Sequence, residues 1–182
     1  MGYQGPAVFS PRKITSVVDS YHPQMCGSEI AAFKFTNASN NVGTANKAFY
    51  LPFTIAEAVT AYQLGVVHGA AVAGNYDMGI YLPSGAKVVL AGSTAGSGVS
   101  VWQWFNITDT ILIPGLYYIG VSTDTNGATN RFQAIVAGTA MYWQIAGAFQ
   151  ELSAFPLPAT ATFAKSADTQ LPWVGISLRA TP

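Results

Sequence analysis

Residues 75–93 read NYDMGIYLPSGAKVVLAGS, two runs of alternating side-chain character around a four-residue turn. A period of two sends successive side chains to opposite faces of a strand, which a helix cannot do. Met78, Ile80 and Leu82 share one face of the first run, and Asp77, Gly79 and Tyr81 share the other. Pro83 presets its own φ and Gly85 tolerates the left-handed region, so Pro83-Ser84-Gly85 has the chemistry of a type I turn closed by a bulge. Val88 and Leu90 are then expected to return on the inner face.

The same period governs the chain from residue 30 onward. Strands are expected in IAAFKF (30–35), KAFYLPFT (47–54), TAYQLGVVHG (60–69), VSVWQWF (99–105), FQAIV (132–136) and LPWVGISLR (171–179). Pro52 implies an edge or a bend in its strand. Tyr62, Leu64, Val66 and His68 are expected on one face, opposite Gln63, Gly65 and Val67. FNITDTILIPGLYYIGVSTD (105–124) reads as a second hairpin, with Pro114-Gly115 at the centre of a type II turn. Loops are expected at 37–46, 92–98 and 123–131, and FPLPATATF (155–163) reads as an extended connection. Met141, Ile145 and Phe149 fall four apart, which predicts a short helix or an irregular packed segment within 137–151.

The segment 1–29 carries Pro6, Pro11 and Pro23 and reads as an extended arm, with one strand at Ile14–Asp19. Residues 30–182 then form a single all-β domain, a two-sheet antiparallel β-sandwich of jelly-roll type with eight or nine strands.

Charge narrows the function classes. Only 9 % of the residues are charged, against about 25 % in an average soluble protein. Half of the chain is hydrophobic, at 50 %, and the mean hydropathy is +0.30. Such an exterior is expected to be buried against other subunits. The net charge is zero and no basic stripe exists, so nucleic acid is not an expected partner. Cys26 is the sole cysteine, which rules out an internal disulfide. Residues 1–20 lack the pattern of a secretory signal, and the longest apolar stretch, 134–149, is shorter than a membrane span.

Catalytic constellations are poorly supplied. The Gly-x-Ser-x-Gly elbow and the Lys-containing phosphate loop are absent, and the histidines are His22 and His68 alone. Zinc would need clustered His and Cys ligands. Asp77, Asp124 and Asn126 are oxygen donors, but turn chemistry accounts for them better than calcium does. The acids Asp19, Glu29, Glu57, Asp77, Asp109, Asp124, Glu151 and Asp168 are isolated in sequence, so no glycosidase pair is signalled. No enzyme activity, cofactor or metal is expected. The sequons at Asn37 and Asn106 are read as chance.

Aromatic residues remain. Trp102 and Trp104 alternate on one face of their strand, and with Asn106 and Tyr81 they are the candidate interface or glycan contacts.

The segments YDMGIYLPSGAKVVLAGS, ILIPGLYYIGVSTD and LPWVGISLR together resemble the sandwich domains of tailed-bacteriophage structural proteins, over residues 47 to 182. Head-fibre, decoration and tail-tip or fibre domains of this kind are similar to carbohydrate-binding modules. The resemblance implies a non-enzymatic virion component, on capsid or tail, made in the host cytoplasm. It also implies a homotrimer whose N-terminal arm attaches to other virion proteins, with host surface polysaccharide as a further contact. A free lectin-like module is the alternative, and no functional residue is carried over from the family.

Overall fold

The structure, a computed structural model, describes residues 44–126, 144 and 147–180, together with the backbone of 13–14, 36–40 and 132–136. It is built almost entirely of antiparallel strands. In chain order these begin with β1 (Lys13–Ile14), β2 (Thr36–Asn40), β3 (Lys47–Ile55), β4 (Val59–Val67) and β5 (Asn75–Tyr81). β6 (Lys87–Leu90), β7 (Thr94–Ala95), β8 (Trp102–Leu112), β9 (Gly115–Thr123) and β10 (Phe132–Val136) follow. The chain closes with β11 (Phe149–Glu151), β12 (Ala164–Lys165), β13 (Gln170–Pro172) and β14 (Val174–Ala180). A four-stranded sheet runs β1-β14-β4-β8 and a seven-stranded sheet runs β12-β11-β3-β9-β5-β6, with β7 added to β5. A three-stranded sheet, β13-β10-β2, completes the set.

The expected all-β sandwich is the observed fold. Leu64 and Val66 of β4, Phe105 and Ile107 of β8, and Val174, Ile176 and Leu178 of β14 supply one side of its core. Phe49, Leu51 and Phe53 of β3, Met78 and Ile80 of β5, and Ile119 and Val121 of β9 supply the other. Each such side chain contributes roughly 1.5–3 kcal/mol by leaving water. Strands exceed the expected eight or nine because several are too short to show a period.

The opening hairpin is present. Gly85 donates its N–H to the Leu82 carbonyl at 2.9 Å and Leu82 donates to Ala86 at 2.9 Å. Gly85 has φ +84°, the left-handed residue of the bulge. Ala161 O would lie 2.3 Å from a Cβ there, so glycine is required twice over. Met78 and Ile80 face the core as expected and Val88 packs on it. Leu82 is exposed, and Leu90 turns to a different cluster because the register shifts between Ile80 and Tyr81.

Four other expectations are corrected. β8 and β9 are not a hairpin: β8 pairs with β4 and β9 pairs with β3 and β5, so Pro114-Gly115 carries the chain between sheets. Gly115 is not among the positive-φ residues, which excludes the type II turn. Residues 37–40, expected as loop, belong to β2, and 149–151, expected as helix or irregular segment, form β11. Tyr62 leaves the inner face because the ladder slips between Ala61 and Gln63. The predicted strand at 30–35 and most of the predicted helix lie outside the described residues, as does the predicted strand at 14–19 apart from Ile14. Pro52 is tolerated within β3 because its β11 neighbour reaches only Tyr50, leaving that edge open.

The seven-stranded sheet is buried on its outer face as well. Ala48, Tyr50, Tyr81 and Tyr118 project there and are covered by Ala154, Leu157 and Ala161. The cover is pinned by polar bonds: Leu157 donates its N–H to Asp77 Oδ2 at 3.0 Å, and Tyr81 donates its hydroxyl to the Pro158 carbonyl at 2.7 Å. Lys87 donates its N–H to Ala159, and Ala161 donates to Gly85, at 3.1 and 2.8 Å.

Burial pushes the Asp77 carboxyl up from its ordinary 3.8, while the N–H groups of Leu157, Gly92 and Met78 pull it back. A raised carboxyl contributes its stability in full below the unfolded-state value and loses it as pH rises through the folded one. Asp77→Ala orphans the Leu157 N–H and is expected to cost about 1–3 kcal/mol in urea unfolding. Asp77→Asn keeps an acceptor for Leu157 and carries no charge. Its stability relative to wild type should therefore improve as pH rises above about 4.

Candidate functional site

The outer face of the four-stranded sheet is aromatic. With Leu64 and Val66 turned to the core, Gln63, Gly65 and Val67 of β4 face outward, as expected. The register sets Gln63 opposite Asn106, Gly65 opposite Trp104 and Val67 opposite Trp102. The two indoles stack at 5.0 Å between centroids with 13° between planes. Their space exists because position 65 is glycine: an added Cβ would lie 2.7 Å from Trp104 Cε3 and 3.0 Å from Trp102 Cε3. Beside the stack, Gln63 Nε2 donates to Asn106 Oδ1 at 2.9 Å.

Trp173 joins this group without having been foreseen. It sits between β13 and β14, where the chain passes from one sheet to another, and its carbonyl accepts the Val67 N–H at 3.0 Å. Its ring meets Trp102 edge-on at 6.3 Å and 64°. Trp173 Nε1 is buried with no hydrogen-bond partner among the described residues. The sequence offered one signal for the cluster, a glycine at the alternate position of a neighbouring strand. It gave no register to connect the two.

Of the other candidates, Asn106 is exposed beside the stack, whereas Tyr81 is not on the surface at all. Tyr81 is fully buried under the 154–161 cover, and its ring meets Tyr50 edge-on at 5.3 Å. That burial removes Tyr81 from any contact surface. The structure brings Trp102, Trp104 and Asn106 together and leaves Tyr81 on the far side of the fold.

Several ionisable side chains have structural partners. Asp124 accepts from the Asn75 N–H, the Asn75 side-chain amide and the Thr125 hydroxyl, at 2.8, 2.8 and 2.6 Å. Those donors, Thr125 first, hold its carboxyl below the usual range. Glu151 accepts the Tyr50 hydroxyl at 2.7 Å. Asp168 pairs with Lys47, whose ammonium also lies 5.3 Å from the Phe49 ring centroid, and Asp109 pairs with Arg179 at the surface. Among the described residues no three His, Cys, Asp or Glu side chains gather into a group that could hold a metal ion. His22 and Cys26 lie outside the described residues.

The β-pairing also defines an apolar end of the sandwich. Ile55 pairs with Gly115, Val59 with Leu112 and Tyr81 with Tyr118, so the 56–58 turn, the 113–114 crossing and the 82–86 turn lie at one end. Ile111 and Ile113 are 60 % and 64 % exposed there, and Leu116 and Leu82 are exposed at the same end. The loops at 69–74 and 92–98 lie at the opposite end, joined by the Gly96 N–H to the Gly74 carbonyl at 2.9 Å.

Comparison with family models, with curated proteins and with solved structures finds no match to this chain.

Gly65→Ala should force both indoles to move, and the near-ultraviolet circular dichroism of the stacked pair should fall. Trp104→Phe should remove that band while leaving the far-ultraviolet β signal in place.

Proposed function

We propose that this chain is a non-enzymatic structural module that works by packing against copies of itself, as a virion component on a bacteriophage capsid or tail. The observation that carries the self-packing reading is the apolar end formed by Leu82, Ile111, Ile113 and Leu116. Exposed apolar patches of this kind mark association surfaces. Few ionic side chains are available to keep them in water, because the chain is only 9 % charged and Asp77, Asp124, Glu151 and Asp168 have internal tasks. The bacteriophage part of the reading draws on the resemblance of the hairpin segments, and the trimer and the attaching role of residues 1–29 follow from it.

A lectin-like module is the second reading, favoured by the half-buried tryptophans beside the Gln63 and Asn106 amides. Sugar stacking needs an open ring face. Trp102 and Trp104 each turn a face to the other, and Trp102 also meets the edge of Trp173. Self-packing needs only apolar area, which the observed arrangement supplies more directly.

Light scattering coupled to size-exclusion chromatography is expected to find a stable oligomer at micromolar concentration. Ile113→Asp and Leu116→Asp place a carboxylate in the apolar patch and should each drive the protein to monomer. A monomeric wild type that binds polysaccharide through Trp102 or Trp104 would replace this reading with the lectin one.

A further inference from the structure

His68 is fully buried at the end of β4, with its ring edge-on to Tyr76 at 4.6 Å and 70°. Its Nε2 lies 2.6 Å from Gln103 Oε1. Gln103 is oriented by the 92–101 loop: its Nε2 donates to the Ala95 carbonyl at 2.9 Å and its Oε1 accepts the Ser97 N–H at 2.8 Å. An amide oxygen only accepts, so the hydrogen in the His68–Gln103 bond belongs to His68 Nε2. The neutral ring therefore carries its bare lone pair on Nδ1, and Nδ1 is buried with no hydrogen-bond partner among the described residues.

The loop over this pair has little else to hold it. Residues 93–101 are exposed except Gly96, so no large apolar side chain anchors them. Val99 and Val101 point to solvent. Ser100 has φ 55°, a left-handed conformation that serine adopts only when held. What holds the loop is polar: Gln103 bonds it at Ala95 and Ser97, Gly96 donates to Gly74, Ser100 donates to Gly69 at 2.9 Å, and β7 pairs with β5. His68 takes part through its own N–H, which donates to Val101 at 2.9 Å.

We propose that His68 and Gln103 form an acid-sensitive latch on the 92–101 loop. A proton taken from solvent onto His68 Nδ1 makes a buried donor with no acceptor, and the ring becomes hydrated by displacing the loop. The alternative route, through Tyr76, would open β5 where it pairs with β9 and β6. The groups facing His68 leave the cation unsupported. From β5 comes the Tyr76 ring and from β8 the uncharged Gln103, while the Asp124 charge acts on Tyr76. Burial holds the imidazole below its ordinary range, with the Gln103 bond working weakly against it. The sign follows: the latch is closed above about pH 6.5, and its stability is lost as pH falls from there through the lower folded value. The latch is independent of the virion reading.

The test is amide hydrogen exchange from about pH 8 to pH 5, corrected for the intrinsic rate, with the ¹⁵N shifts of the His68 ring followed in parallel. Protection at Gly96, Ser97 and Ser100 is expected to fall by up to about tenfold per pH unit below about pH 6.5. Ile80 and Ile119 should keep theirs. Gln103→Glu places a carboxylate against the ring and should move the ring titration to higher pH while shrinking the acid loss of loop protection. His68→Gln should abolish it. The latch is overturned if loop protection is unchanged while the ring titrates, if the acid step survives in His68→Gln, or if the proton resides on Nδ1 at neutral pH. Should His68→Gln fail to fold, the paired wild-type measurements decide.

Discussion

A sheet that is apolar on both faces must be covered twice, and the architecture of this protein follows from that requirement. β3 alternates Phe49, Leu51 and Phe53 on one side with Ala48 and Tyr50 on the other, and β5 and β9 repeat the pattern. The four-stranded sheet covers one side. The other is covered by 154–161, a segment without long strands of its own, and unpaired backbone there would be costly to bury. Asp77, Tyr81, Gly85 and Lys87 meet that cost by bonding Leu157, Pro158, Ala161 and Ala159. A buried carboxylate is expensive by itself, but here it serves as the acceptor that fixes the cover in place.

This use of polar groups explains why so little ionic chemistry reaches the surface. Lys47 and Asp168 join the start of β3 to the segment before β13, while Asp124 ties the end of β9 to the start of β5. The Arg179–Asp109 pair, half exposed, contributes little to stability on its own. With these acids employed as internal ties, the exposed charges among the described residues are Glu57, Lys87, Asp109, Lys165 and Arg179.

Much of the sandwich was legible because alternation is a local signal. Leu64 and Val66 of β4, Met78 and Ile80 of β5 and the Pro83-Ser84-Gly85 bulge depend on neighbours in sequence, and each is found where the residues place it. Partner choice is not local. Pro114-Gly115 looks like a hairpin turn from its flanks, yet whether the flanking strands pair or part is decided by β4 and β3, which compete for them. The same limit applied to the candidate site. Trp102 and Trp104 were placed on one face by period alone, but Trp173 arrives through a sheet-to-sheet crossing. Tyr81 occupies a strand face that reads as surface until the 154–161 cover is known. β2, rich in asparagine, carries no apolar period to read.

The two ends of the sandwich are held by opposite means, and this division connects packing to function. At the crossing end, Ile111, Ile113 and Leu116 stay exposed because the backbone is already fixed: Tyr117 donates to the Ile113 carbonyl at 3.0 Å and Leu112 is locked in the core. A rigid apolar end loses little conformational freedom on burial, which favours association. At the loop end residues 93–101 bury no large apolar side chain, and their order depends on amide bonds centred on Gln103. Such bonds are each worth about 1 kcal/mol net, so this end is the one that proton uptake at His68 can shift while the opposite end keeps its shape.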